Sequence, residues 1–275
     1  TAYELMPSLV GSEMCIRDSD NPRSGRSGMS KRWYQENKRD PWRRDAHSKG
    51  YRARSAYKLK QIQDRFGLMR EGDAILDIGC HPGGWTQVAV EEAGLQGLVI
   101  GVDILTTSAI DGAEVIVGDI TQPETIERIM EILDGRGLNT VISDISPRLT
   151  GRYDTDQAIS LELSTMALDV ASALLVPGGG FATKVFQGAG IEGLVGAAKQ
   201  RFSSVGRFAP TASRSASSET YLICQNKLPK PRGDGEGVTA MEQLKEHLAS
   251  IGIVVDNEEP EGDTRVGFRR LERRE

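Results

Sequence analysis

The stretch Asp77-Ile78-Gly79-Cys80-His81-Pro82-Gly83-Gly84-Trp85 decides how this sequence is read. It follows a short apolar run, Ala74 to Ile78, and leads into a segment from Trp85 to Ala93 of helical character. A strand that ends in a glycine-rich turn and re-enters a helix lets a ligand approach bare backbone at the helix N-terminus. The glycines are spaced Gly79-x-x-x-Gly83-Gly84, not as the Gly-x-Gly-x-x-Gly of nicotinamide dehydrogenases. The loop alone therefore predicts a nucleotide-like ligand beside a sheet and disfavours a dinucleotide. Cys80 and His81 sit inside it, but the sequence offers them no third partner. Packing around the loop is the expected role, rather than a nucleophile or a metal ligand.

Outward from the loop, apolar runs alternate with helical segments. Strands are expected at 97–102, 114–117, 140–143, 180–185, 203–208 and 219–224, in addition to 74–78. Helices are expected from Ser55 (Ala56, Leu59, Ile62 and Phe66 on one face), at 124–133, at 158–175 before Pro177 and three glycines, and at 191–201. Such alternation implies an α/β fold: a mostly parallel sheet with helices on both faces, binding ligands beyond the carboxyl ends of its strands. Asp77, Asp103, Asp119 and Asp144 all fall at or next to strand ends, so four carboxylates are expected to share one rim.

Their order suggests what they hold. Asp77 can meet an ammonium, Asp103 at the second strand end can accept from two ribose hydroxyls, and Asp119 is placed for the exocyclic amine of adenine. Together with Gly79, Gly83, Gly84 and Trp85 they favour S-adenosylmethionine as the cofactor.

Composition is that of a globular protein, 38% hydrophobic and 27% charged, and no apolar run approaches the ~20 residues that span a bilayer. The three cysteines, Cys15, Cys80 and Cys224, and the three histidines, His47, His81 and His247, are scattered. Neither a disulfide framework nor a metal site is expected, and a reducing cytoplasm is the natural compartment. The net charge of -5 hides a segregation. Residues 29–60 carry eleven Lys or Arg against three acids, and residues 233–264 carry nine acids against Lys245 alone. The basic segment interleaves Trp33, Tyr34, Trp42 and Tyr51 with Lys31, Arg32, Arg43, Arg44, Arg52 and Arg54, a composition suited to RNA backbone contacts and base stacking.

The chain is accordingly divided as follows. Residues 1–28, in which 6–19 resemble adapter read-through, are read as a non-native leader, with Met29 as the natural start. Residues 29–54 form the basic arm, 55–226 the main domain, 227–232 a linker, and 233–275 an acidic appendage. In the appendage Met241, Leu244, Leu248 and Ile251 form one helical stripe, followed by a short strand at 253–255. About 40 residues are marginal for an independent core, so this tail either docks or stays loose.

Five segments carry a resemblance. They are Arg54-Ser-Ala-Tyr-Lys58-Leu, Asp77 to Gln87, Ser143-Asp-Ile-Ser-Pro147, Lys184-Val-Phe-Gln-Gly188, and Ser213 through Glu219 to Tyr221. In that order the chain resembles the FtsJ/RrmJ (RlmE) ribosomal RNA 2'-O-ribose methyltransferases, archaeal members in particular, over about residues 31–226. The resemblance implies a Rossmann-like, seven-stranded sheet with the last strand antiparallel. It implies a Lys-Asp-Lys-Glu tetrad at Lys58, Asp144, Lys184 and Glu219, and donor contacts at Gly83, Trp85, Asp103, Asp119 and Asp144. It further implies transfer of a methyl group to a ribose 2'-hydroxyl, most naturally a uridine of large-subunit ribosomal RNA, by a monomeric cytoplasmic enzyme that works on ribosomal RNA or the large subunit.

Charged residues on central strands are almost never buried without a partner, which independently favours a site at Lys184 and Glu219. Two alternatives remain at this point: a transfer RNA 2'-O-methyltransferase, and a non-catalytic RNA-binding protein on the same scaffold. All four tetrad residues are present, against the latter, and Gly83-Gly84-Trp85 leans away from the transfer RNA branch. The chain departs from the family at Arg148, where Asn is common, at Cys80-His81, and in its acidic tail.

Overall fold

A computed structural model describes residues 41–147, 149–213, 218–255 and 271–273. Its elements are α1 (Pro41–Ser48), α2 (Ala56–Phe66), β1 (Ala74–Ile78), α3 (Gly84–Ala93), β2 (Leu98–Asp103), β3 (Ala113–Val117), α4 (Pro123–Leu133), β4 (Leu138–Ser143), α5 (Tyr153–Leu174), β5 (Leu175–Phe186), α6 (Ile191–Arg201), β6 (Phe202–Phe208), β7 (Glu219–Lys227), α7 (Ala240–Ser250), β8 (Ile253–Val255) and β9 (Leu271–Arg273).

Seven strands form one sheet in the order β3-β2-β1-β4-β5-β7-β6. All neighbours are parallel except β7, which runs antiparallel to β5 and β6. The expected Rossmann-like architecture is therefore the observed one. The strand order reverses between β1 and β4, and the crevice beyond their carboxyl ends is where such folds take ligands.

Side chains alternate across the strands, so one strand feeds two apolar layers. Ala74, Leu76 and Ile78 face a layer with α4, α5, α6 and α7. Ile75 faces a second layer built from Leu59 and Ile62 of α2 and Trp85, Val88 and Ala89 of α3. Asp77 alternates onto the same side as Ile75 and meets α3, where Thr86 donates to its Oδ2 at 2.7 Å.

Three boundaries differ from expectation. Helix α5 begins at Tyr153 rather than at 158, because buried Asp156 organises the preceding turn: Thr150 N and Thr150 Oγ1 donate to its Oδ1 at 2.7 and 2.8 Å. Strand β5 starts at Leu175, ahead of Pro177 and the glycines, and its register with β4 shifts between Leu138 and Thr140. Residues 227–232 continue the fold: Lys227 ends β7, Leu228 N donates to Arg201 O at 2.8 Å, and Arg232 N donates to Gln200 O at 2.8 Å.

Helix α5 is buried on nearly every side, which requires cover on both faces. Part of that cover is α7, so the described part of the appendage docks. Leu244 and Leu248 join the main core, each fully buried leucine contributing about 1.5–3 kcal/mol. Asp169 of α5 caps the incoming helix, accepting from Ala240 N at 2.6 Å and Met241 N at 3.1 Å. Arg201 adds bonds to Val238 O and Gln243 Oε1 at 2.6 and 2.5 Å. Ile251 is an exception to the expected stripe: it lies in the turn after α7 and is 47% exposed, while Ile253 is buried in its place. Among the described residues no helix is long and apolar enough to cross a membrane.

Candidate active site

The four rim carboxylates are brought together as expected. Asp77 is the fourth residue of β1, Asp103 ends β2, Asp119 lies two residues beyond β3, and Asp144 directly follows β4. These are four neighbouring strands, three of them contiguous on one side of the switch point.

The glycine loop lies where the sequence puts it. Gly79 has φ +76°, and a Cβ there would press on Ile145 at 3.0 Å. Gly83 has φ +114°, and a Cβ there would meet Ile110 Cδ1 at 2.5 Å. Neither position tolerates a side chain, so the backbone closes tightly over the strand ends before α3 begins at Gly84. The His81–Pro82 peptide is cis. Cys80 is buried and its thiol is pushed above the ordinary range by desolvation, with Asp77 and Asp103 adding to the shift. His81 Nδ1 lies 3.1 Å from Thr107 Oγ1. Both residues pack the loop.

On this side the acids are tied to turns. Asp103 accepts from His81 N at 2.9 Å and Leu105 N at 2.8 Å; Asp119 Oδ1 accepts from Thr121 N at 2.9 Å and Thr121 Oγ1 at 2.7 Å. Asp77 differs, because its Oδ1 is buried with no hydrogen-bond partner. Burial pushes its carboxyl up to about 7, against the Thr86 bond and with help from Asp144 and Asp103. An ionised carboxylate in such a place wants a cation. S-adenosylmethionine carries a sulfonium and an ammonium, a ribose diol and an adenine amine, so this set of acids and bare backbone fits it.

The other side of the rim holds two ion pairs. Lys58 Nζ, from α2, lies 2.5 Å from Glu219 Oε1 at the start of β7. Lys184 Nζ, from β5, lies 3.3 Å from Asp144 Oδ1. The Lys184 ammonium also donates to Asp144 O at 2.7 Å and to Ser146 Oγ. Lys184 is 4% exposed, and desolvation holds its pKa below the ordinary lysine value; Lys58 lowers it further, while Asp144 and Glu219 oppose. Burial raises the Glu219 carboxyl, but Lys58, Ser213 and Lys184 outweigh that and leave it below its usual value.

Three supporting residues were not singled out by sequence. Tyr221 donates to Asp144 Oδ1 at 2.8 Å, stacks on Trp85 with ring centroids 5.6 Å apart, and lies under Lys58 Nζ at 5.9 Å. It joins the donor loop to both pairs. Ser213 donates to Glu219 at 2.6 Å, and Ser146 receives Lys184. The available signal for Tyr221 was its two-residue offset from Glu219 on one strand, which puts both on one face.

The basic arm is only partly as expected. Lys31, Arg32, Trp33 and Tyr34 lie outside the described residues, as does Arg148. Arg43 and Arg44 are exposed on α1. The Arg52 guanidinium instead bonds Pro82 O, Ser108 O and Ala109 O at 3.3, 2.8 and 2.5 Å, tying the glycine loop to the segment between β2 and β3, and Arg54 bonds Ala212 O. Trp42 and Tyr51 also turn inward, with rings 5.1 and 5.8 Å from that of Tyr57. The physical reason is local: α1 is a short helix, and these rings bury its apolar face.

Comparison with known proteins agrees with this geometry. The FtsJ-like methyltransferase family model matches residues 51–227. A ribosomal RNA large subunit methyltransferase E of Methanothrix thermoacetophila is 46% identical over 198 residues, covering 72% of this chain and 76% of the relative. The protein of that name from Halorubrum lacusprofundi is 42% identical over 248 residues, covering 84% and 92%. A crystal structure described as a ribosomal RNA methyltransferase of Plasmodium falciparum superposes with a TM-score of 0.59 at 28% identity, covering 66% of this chain and all of that one. With the loop, the rim and the two ion pairs in one place, the chain belongs to the FtsJ-like methyltransferase family.

Proposed function

We propose that the chain methylates a ribose 2'-hydroxyl of large-subunit ribosomal RNA, at a uridine, acting as a monomer in the cytoplasm. The observation that carries this reading is the buried Lys184, held by Asp144 and Ser146 beside the Lys58–Glu219 pair. When bound, S-adenosylmethionine supplies a methyl carbon activated by the sulfonium beside it. A ribose hydroxyl is a poor nucleophile until its proton leaves, so the protein must align it and remove that proton.

Lys184 is the base in this reading. Burial favours its neutral amine, which then has a lone pair to take the hydroxyl proton as the oxygen–carbon bond forms. Asp144 fixes the amine through its side chain and its carbonyl. Lys58 and Glu219 hold the acceptor ribose, Lys58 donating to oxygen and lowering the proton affinity of Lys184. On the donor side Asp77 answers the ammonium, Asp103 the ribose diol and Asp119 the adenine amine. Gly79, Gly83, Gly84 and Trp85 shape the loop. Arg43 and Arg44, with Lys31 and Arg32, neutralise RNA phosphates.

The test is to map 2'-O-methylation in ribosomal and transfer RNA from cells with and without the gene. Loss of a single large-subunit uridine methylation, restored by wild-type protein and not by Lys184→Ala, is the expected result. Loss at a transfer RNA position instead would refute the substrate assignment.

A further inference from the structure

Only a few large apolar side chains are exposed among the described residues, and two of them, Leu149 and Tyr153, flank the turn between β4 and α5. Tyr153 is 55% exposed, whereas the described aromatics of the basic arm are packed inward. The ring is open but not loose. Its hydroxyl donates to Gln187 O at 2.5 Å, in the loop that follows the Lys184 strand. Gln187 N in turn donates to Ser218 O at 2.9 Å, one residue before Glu219. Two hydrogen bonds thus connect the Tyr153 ring to the acceptor half of the rim.

The mounting is rigid at both ends. Buried Asp156 holds the turn before Tyr153 through Thr150 N, Thr150 Oγ1 and Gly151 N, the last at 3.2 Å. Gln157 donates to Ala189 O at 2.8 Å and fills the space beside Gly188, where a Cβ would meet its Cδ at 2.6 Å. The first turn of α5 therefore grips the loop after β5. Arg152 and Asp154, its neighbours in sequence, are both exposed. A fixed ring with an open face is the arrangement on which unstacked bases of single-stranded RNA sit.

We propose that Tyr153 is a stacking platform for a nucleobase of the RNA substrate, next to the ribose presented to Lys184. The proposal rests on the functional reading above. A methyl acceptor in a duplex is hidden from the rim, and a splayed neighbouring base needs a surface to replace its lost stacking. Tyr153 supplies that surface on the acceptor side, independent of sequence because every base has a π-face.

The experiment compares Tyr153→Ala and Tyr153→Phe in methylation of isolated large ribosomal subunits from a strain lacking the gene. Base stacking on an aromatic is worth ~1–3 kcal/mol per base, so Tyr153→Ala should raise KM for the subunits about tenfold. The kcat and the affinity for S-adenosylmethionine should stay within about twofold, and Tyr153→Phe should keep most of the affinity. The slope of log affinity against log salt should not change in Tyr153→Ala, since no phosphate contact is lost. An unchanged KM in Tyr153→Ala overturns the proposal, as does an equal loss in Tyr153→Phe, which would make the hydroxyl tether the whole effect. If wild-type protein fails to methylate the subunits, the functional reading fails; if it succeeds and only these contrasts are absent, the platform alone fails.

Discussion

The two halves of the rim neutralise their charge by opposite means. The acceptor half carries its own cations: Lys58 pairs with Glu219, and Lys184 with Asp144. The donor half shapes its turns with acids and leaves Asp77 Oδ1 buried without a partner. The acceptor side is thus electrostatically complete within the chain, while the donor side leaves a carboxylate oxygen for a cationic ligand to complete. In the proposed function that difference lets one site take a charged cofactor on one side and keep a lysine of lowered pKa for a neutral hydroxyl on the other.

The contrast can be broken most severely at Lys184. Lys184→Ala should lower single-turnover methyl transfer by ~10²–10⁴ while calorimetry finds donor affinity unchanged. Near-wild-type turnover would remove the base from the acceptor half. In wild-type protein the rate should rise with pH as the ammonium deprotonates, along a limb lying below the ordinary lysine value, because burial disfavours the charged form. A pH–rate profile in the single-turnover regime reads this directly.

Next in size is Lys58→Ala, which removes the ion-pair partner of Glu219 and leaves that carboxylate its Ser213 bond. A destabilisation of about 1.5–3 kcal/mol by urea unfolding is expected, with part of it recovered in the Lys58→Ala/Glu219→Ala double variant. Strictly additive losses would mean that the acceptor half is not a coupled pair.

Asp77 probes the other half. Its folded pKa, about 7, is raised above the unfolded value of 3.8. The stability this residue contributes is therefore fully present below 3.8 and is lost as pH rises through about 7. Asp77→Asn should make the ligand-free protein more stable at pH 8 and flatten that dependence in thermal melts. In wild type, donor affinity should climb about tenfold between pH 6 and 8 as the carboxylate ionises; in Asp77→Asn it should stay level. A wild-type affinity independent of pH would show that the cation is held elsewhere.

The smallest effect separates Arg52 from the rest of the arm. Arg44→Ala should reduce the salt slope of RNA binding by about 1, whereas Arg52→Ala should leave the slope and weaken donor binding, because its guanidinium clasps loop carbonyls.

The donor half was readable residue by residue because its logic is local. A strand end, a glycine turn and an acid at each successive strand are written within 43 residues, Asp77 to Asp119. The acceptor half joins Lys58 to Glu219 across 161 positions; charge on central strands marked Lys184 and Glu219, but only resemblance to a family set Lys58 beside them. Tyr221 escaped notice because its role depends on the register that sets β7 beside β5, which pairs Lys184 with Tyr221 itself. The basic arm misled for a related reason. Composition counts cations and rings but cannot say that Arg52 will find three carbonyls or that Trp42 will fold onto Tyr57. Tail docking was left open by a length criterion and decided by Asp169, a helix cap contributed from 71 residues upstream of Ala240.

That cap has a practical consequence for anyone who divides the gene into exchangeable cassettes. The composition shift after Lys227 invites a border at Arg232, yet such a border would strip Leu244 and Leu248 from α5 and leave the Asp169 carboxylate, already pushed up by burial, without the two amides that satisfy it. A fusion joined there inherits an uncovered apolar helix and a tendency to associate. A border placed beyond Arg273 keeps that cover, and the β9 strand that pairs with β8, on the same piece as the sheet.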